Sequence, residues 1–308
     1  MVWDLLLLAV SLLIGLRLQR LAGGVQLRQR IWAINYVLLI PLAATYAFLS
    51  IDLGRSLLAI ISVGVVAWWL TVLLAGLVAR LLARTRHERG ALWLVGGFPN
   101  TGFLGYPLAH LAFGTEGLRW AIIYDQVSLV IPMVVVSTLI ARAHSMDEPN
   151  AADMARTGVQ ILRRELLRAV PLWTVLVLIV LRLTVLREPV ELESLGAFVA
   201  AIVGPMGFLL LGLSLPLHGF VHDRRDVVHT ICASLVRIVA APALLWGIAH
   251  LVGVQVPGAI YLVAAMPTAF HTVVIARVFN VQPALVRLGV VISTVAMLAV
   301  TLTWLFVR

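Results

Sequence analysis

The chain contains no lysine, and charge of either sign is scarce: Asp, Glu, Lys and Arg together make up 12% of its 308 residues. A soluble globular domain carries about 25%. Hydrophobic residues make up 62%, against roughly 45–50% in such a domain. A chain this apolar cannot cover its own surface in water, which excludes a soluble enzyme, a secreted disulfide scaffold and a disordered chain. The single cysteine, Cys232, has no partner for an internal disulfide and reports no oxidising compartment. GxSxG, HExxH, CxxC and phosphate-loop motifs are also missing. The expectation is therefore a protein that is not an enzyme, needs no cofactor and holds no nucleotide domain for ATP-driven work.

What is present is long apolar runs. About 20 residues of helix cross the hydrocarbon, with a range of about 17–25. Ten runs qualify or nearly do, at 2–16, 31–51, 57–82, 91–113, 118–141, 169–186, 195–217, 227–253, 257–280 and 284–307. The runs are continuous and show no alternating period, which excludes a barrel. The first run is short. It is read as a span and not a signal peptide, because Asp4 is the only charge before it and an arginine cluster, not a cleavage site, follows. The fold class expected is an all-α polytopic membrane protein with ten transmembrane helices.

The net charge of +9 is spread in a way that excludes nucleic acid as a partner. Every basic residue is arginine, and the arginines cluster in alternate loops, not along one face. Arg17, Arg20, Arg28 and Arg30 lie between runs one and two. Arg80, Arg84, Arg86 and Arg89 lie between three and four, and Arg142, Arg156, Arg163, Arg164 and Arg168 between five and six. Arg224 and Arg225 follow run seven, and Arg277 and Arg287 flank the turn after run nine. The opposite loops and end hold only Arg55, Arg119, Arg182, Arg187 and Arg308. Arginine-rich loops face the cytoplasm, so both termini are expected outside the cytoplasmic membrane.

The longest polar stretch, 142–168, divides five runs from five. Five is odd, so residues 1–141 and 169–308 should insert with opposite orientation, as in an inverted-repeat transporter. Pro41 and Pro205, and Pro99 and Pro267, fall at corresponding places in the two halves.

Run four reads LWLVGGFPNTGFLGYPLAHLAF, with Gly96, Gly97, Pro99, Gly102, Gly105 and Pro107 crowding its centre. Proline removes a backbone donor and clashes with the preceding turn. Each glycine lowers helix stability by about 1 kcal/mol relative to alanine. Open backbone at membrane depth survives only against protein or a watery cavity. The same reasoning breaks run nine at Pro267, just before Thr268, His271 and Thr272. Two broken helices crossing at the midplane would each start a second half there. Helix starts carry about half a positive charge and suit an anion such as a carboxylate.

NTGFLGYP at 100–107 resembles the signature of the auxin efflux carrier family. Asn35 with Pro41, GPMGFLLLGLSL at 204–215 and AAMPTAF…IARVFNVQPAL at 264–285 resemble other parts of that family's pattern, and the resemblance covers the whole chain. It implies ten spans in two inverted halves, crossing broken helices four and nine, and transport of organic anions, with efflux as one direction and malonate-like carboxylates as one substrate class. The chain is similar to the compact bacterial members. It departs from them at His271, where relatives often have Asn, and at Pro99.

The candidate substrate-binding residues are Asn100, Thr101, Gly102, Thr268, His271 and Thr272, around the helix breaks at Pro99, Pro107 and Pro267. Asn100 can also simply cap the second half-helix. Asp125, about 10 Å deep in run five, marks an ion or proton path, or else a structural hydrogen bond to the broken helix. Gln126 is a weaker coupling candidate. His271 either carries a proton in the physiological range or rests neutral on a carbonyl. Arg237 lies inside run eight and is read as snorkelling to the interface, with a counter-charge to the substrate as the alternative. His218 and His222, with Asp223 and Asp226, have metal-ligand spacing but sit in a membrane-edge loop, so no metal is expected. The partners expected are the bilayer and a small organic anion; a homodimer stays open. Two other readings stay open beside the carrier: a sodium-coupled symporter of the bile-acid type, and a receptor that binds the ligand without moving it.

Overall fold

The computed structural model describes residues 2–21, 24–145, 160, 170–186, 188–215 and 223–307. The central linker beyond Ser145, apart from Gln160, and the His218–His222 pair lie outside the described residues. In chain order the helices are α1 (Val2–Leu18), α2 (Gly24–Ile34), α3 (Ile40–Leu49), α4 (Arg55–Leu82), α5 (Arg86–Gly97), α6 (Tyr106–Ser128) and α7 (Val130–Ala143). After the linker come α8 (Val170–Thr184), α9 (Glu193–Ser214), α10 (Arg224–Leu235), α11 (Ala241–Val252), α12 (Gly258–Ala264), α13 (Phe270–Val278) and α14 (Pro283–Val307). Among the described residues the one strand-like pairing is an isolated antiparallel bridge between Pro99 and Thr268.

Five stretches are each long and apolar enough to cross a bilayer alone: Gln26–Leu49, Arg55–Leu82, Glu193–Ser214, Arg224–Val252 and Pro283–Thr301. Thr101–Ser128 and Pro132–Ala143 pass the same test only when taken together, with a bend of 50° between them. The protein is a multi-pass membrane protein. Run five, continuous in sequence, has its helix interrupted at Leu129, where Pro132 has no N–H to offer the Ser128 carbonyl of the preceding turn. Gly114 has φ +67°, which turns the chain between the end of run four and the start of run five.

Three five-residue π-helical turns share one cause. They cover Asn35–Leu39, Thr101–Gly105 and Val236–Ala240, and a proline stands two residues after each: Pro41, Pro107 and Pro242. A proline ring crowds the carbonyl four residues back and offers it no hydrogen. The residue just before the proline donates five residues back instead: Ile40 to Asn35, Tyr106 to Thr101, and Ala241 to Val236. Such wide turns are frequent at functional sites.

Packing sorts the helices into two groups. α1 lies along α9, and α3 lies against α8 and α9. The α1–α9 contact is backbone-close: a Cβ on Gly15 would sit 2.4 Å from Leu209 O, and one on Gly212 would sit 2.3 Å from Leu12 O. Small residues allow such approach where lipid supplies no hydrophobic drive. In the other group α4 packs on α5 and α11, α12 on α6, and α14 on α5 and α10. The groups meet where α9 and α3 touch α6 and the π turn ahead of it.

Candidate functional site

Both expected helix breaks are present, and they meet. Phe98, which precedes Pro99, has φ −123° and ψ 113°, the extended conformation that a following proline imposes. Ala269, after Pro267, is extended too, with φ −73° and ψ 144°. The two extended pieces pair antiparallel. Asn100 N–H donates to Pro267 O at 2.7 Å, and Ala269 N–H donates to Phe98 O at 2.9 Å. Thr268 N–H donates to Ser293 Oγ at 3.1 Å, and Thr268 Oγ1 donates to Val95 O at 2.8 Å. Each break thus satisfies main-chain groups of the other, at the residues just ahead of the second half-helices.

One residue later the N–H donors have no partner among the described residues. Thr101, Gly102 and Phe103 precede the first bond of the π turn, which Gly105 N–H makes to Asn100 O at 3.3 Å; a helix start leaves such N–H groups without intrahelical acceptors. Asn100 is 5% exposed, and its Nδ2 has no hydrogen-bond partner among the described residues. An unpaired buried amide costs roughly 1–3 kcal/mol.

Behind the π turn stands a polar cluster. Asp125 is buried and accepts from the Thr101 hydroxyl on Oδ1, and on Oδ2 from the Tyr106 hydroxyl at 2.5 Å and Gln126 Nε2 at 3.1 Å. Gln126 Nε2 also donates to Tyr106 Oη at 3.1 Å. Asp125 makes no ion pair among the described residues. The bonds from Thr101 and Tyr106 tie Asp125 to the broken helix, one of the two roles the sequence leaves open for it. The second half has a counterpart: Asp125 lies 26 residues past Pro99, and Ser293, which braces Thr268, lies 26 past Pro267.

A narrow crevice of about 20 Å³ adjoins the π turn. It is lined by Gly102, Phe103 and Tyr106, by Asn35, Leu39, Ile40 and Ala43 from the α2–α3 span, and by Val203 and Gly207 from α9. The space holds about one water molecule and is far below the roughly 300–1,000 Å³ of ligand cavities, so the crevice is closed to a larger guest in this conformation. Of the six expected ligand positions only Gly102 lines it, and a Cβ there would meet nothing within 4 Å. Asn100 and Thr101 lie one layer behind. Thr268 and Thr272 are fully buried, and their hydroxyls donate to Val95 O and Ala269 O. His271 sits on the far side of the crossing, edge-on to Phe98 and with Nε2 3.4 Å from Ser137 Oγ. Pro107 is in the first turn of α6. Sequence reasoning missed Tyr106, Phe103 and Asn35 as lining residues. Asn35 carried a signal, an amide alone in an apolar run.

Arg237 does not snorkel. It is 2% exposed, and its Nη2 donates to Ala264 O while Nη1 lies 3.5 Å from Gly97 O. The reason is position: the π turn Val236–Ala240 places it in mid-span beside the ends of α5 and α12, nearer to those carbonyls than to either interface.

At the cytoplasm-expected end, Thr85 caps α5 by accepting from Glu88 N–H at 3.1 Å. Glu88 in turn accepts from Arg84 N–H at 2.8 Å, and its Oε1 lies 3.0 Å from His229 Nδ1 and 3.9 Å from Arg225 on α10. Burial alone pushes the Glu88 carboxyl up, but the Arg84 N–H, His229 and Arg225 outweigh it and hold it below the ordinary 4.5.

Apolar helices of spanning length, two proline breaks paired across a midpoint and a crevice beside them define a membrane transporter. The model of the membrane transport protein family, which includes the auxin efflux carriers, matches residues 47–305. The chain belongs to that family. It is similar to an uncharacterized transporter of Methanocaldococcus jannaschii, 28% identical over 241 residues that cover 75% of this chain and 73% of the relative. It is likewise similar to an uncharacterized transporter of Methanothermobacter thermautotrophicus, 28% identical over 242 residues, 76% of this chain and 74% of the relative.

Proposed function

We propose that the protein is a secondary carrier that moves a small organic anion, a carboxylate, across the cytoplasmic membrane by alternating access. In this reading residues 1–141 and 169–308 are inverted five-span repeats, and the termini face outward. The group of α1–α3, α8 and α9 is the scaffold, and the remaining helices rock against it. The observation that carries the reading is the bonded crossing of two helix breaks, one from each half, with a crevice on the seam between the two groups. A carboxylate admitted when the two groups part at that crevice would meet the open N–H groups at the π turn, the positive end of a helix dipole. Gly102 lets the anion approach the backbone. Asn35 supplies an amide from the opposite wall, and the Phe103 and Tyr106 rings shape the apolar remainder. Tyr106 cannot donate to the substrate while its hydrogen goes to Asp125. Asp125, Gln126 and Thr101 instead fix the turn that presents the amides, with Asp125 or His271 as the proton carrier if transport is proton-coupled.

Counterflow in proteoliposomes tests this. Vesicles preloaded with malonate or a related mono- or dicarboxylate should take up labelled carboxylate faster than empty ones. Gly102→Val, which fills the crevice, should slow exchange by up to about a hundredfold, the effect of misplacing a bound group by about 1 Å, with an unchanged melting temperature. Carboxylate binding without exchange would identify a receptor and overturn the carrier reading.

A further inference from the structure

Two chain segments end their helices at the crossing, and both ends point their last carbonyls at one side chain. Gly97 is the final residue of α5, and Ala264 is the final residue of α12. Each helix end carries up to about half a negative charge, so the two together approach the single positive charge of the Arg237 guanidinium between them. No carboxylate pairs with Arg237 among the described residues. A buried guanidinium left unpaired in this way is strongly unfavourable, unless the helix ends themselves serve as its counter-charge. In secondary carriers built on broken helices, carbonyls at just such half-helix ends coordinate the coupling cation. Here those oxygens are already taken.

We infer that Arg237 is a resident cation, a tethered substitute for a coupling ion, which neutralises the ends of α5 and α12 and makes anion exchange independent of sodium. The inference rests on the carrier reading and deepens it by naming the fate of the coupling-ion seat. The guanidinium does not touch the crevice. It acts through the crossing, keeping α5 and α12 in the arrangement that starts the π turn in the crevice wall. Arg237 is thus a positioning residue. The π turn Val236–Ala240, forced by Pro242, is what sets it at this depth.

Reconstituted wild-type protein should exchange carboxylate at the same rate when sodium is fully replaced by N-methylglucamine. Arg237→Gln, which empties the seat, should lower exchange in that buffer by about tenfold, the scale of coupling between a bound ion and a second site. Millimolar guanidinium or sodium should restore much of the loss, a rescue that a purely steric packing role would not produce. Arg237→Lys keeps the charge and should retain sodium-free exchange, so it serves even if Arg237→Gln does not fold. Three results would overturn the inference: wild-type exchange that requires sodium, Arg237→Gln or a folded Arg237→Ala working at the wild-type rate with no small cation, or a folded neutral variant that neither cation restores. Absence of any wild-type exchange, by contrast, would overturn the carrier reading itself.

Discussion

Asp125 shows how a single buried carboxyl can organise a helix break. Its oxygens take three donors, two of them from the π turn and the residue that closes it. Removing the Tyr106 hydroxyl should therefore loosen the turn and not merely the pocket wall. Tyr106→Phe is expected to destabilise the protein by about 1–3 kcal/mol, the cost of leaving a buried acceptor short of a partner, read as a lower melting temperature in detergent. Glu88 gives a second test, through pH. Its carboxyl is held below the ordinary 4.5 in the folded state, so its contribution is full above 4.5 and is lost as pH falls through the lower folded value. The melting temperature of the wild type should fall more steeply below that pH than the melting temperature of Glu88→Gln, and parallel curves would rule the clasp out. The proline positions gave away both breaks, but these partners were hidden. Tyr106 is 19 positions from Asp125, and only the reversal at Gly114 brings them together. Arg237 misled for a related reason. An arginine in an apolar run has the interface as its default outlet, and the carbonyls that hold it belong to two other segments.

Glycine and proline set the geometry of individual elements. Gly114, at φ +67°, occupies a region where a side chain is strained. Gly114→Val should cost about 1–2 kcal/mol or more, against little change for Gly247→Ala, where a Cβ meets nothing within 4 Å. Equal melting temperatures for the two variants would contradict the turn. The three π turns were only half legible. Prolines in runs two, four and eight announce a disturbed helix, but whether the helix breaks, kinks or widens depends on what fills the lost bond. In runs two and eight the helix widens and continues. In run four Pro99 breaks it first, and Pro107 widens the turn after the break. The antiparallel pairing of the breaks left no mark in the sequence, because main-chain bonds carry no side-chain signature.

For the molecule as a whole, the arginine pattern and the odd number of runs per half predict a definite topology. In a Cys232→Ser background, Asp4→Cys and Glu191→Cys should react with a membrane-impermeant maleimide from outside intact cells. Arg28→Cys and Arg84→Cys should react only after the membrane is opened. Labelling of Asp4→Cys and Arg84→Cys from the same side would break the inverted repeat. The division into two helix groups predicts where motion occurs. The Gly15–Gly212 contact lies within the α1–α9 pair, so Gly15→Leu should unfold that pair, whereas the α9–α6 seam should tolerate change at the cost of exchange. The decisive measurement is an experimental density map of the protein in lipid with a transported carboxylate bound. Helices interrupted at Pro99 and Pro267 and paired to each other are expected, with the carboxylate between Gly102 and Asn35. Continuous helices, or a carboxylate seated away from that turn, would contradict the crossing as the seat of transport.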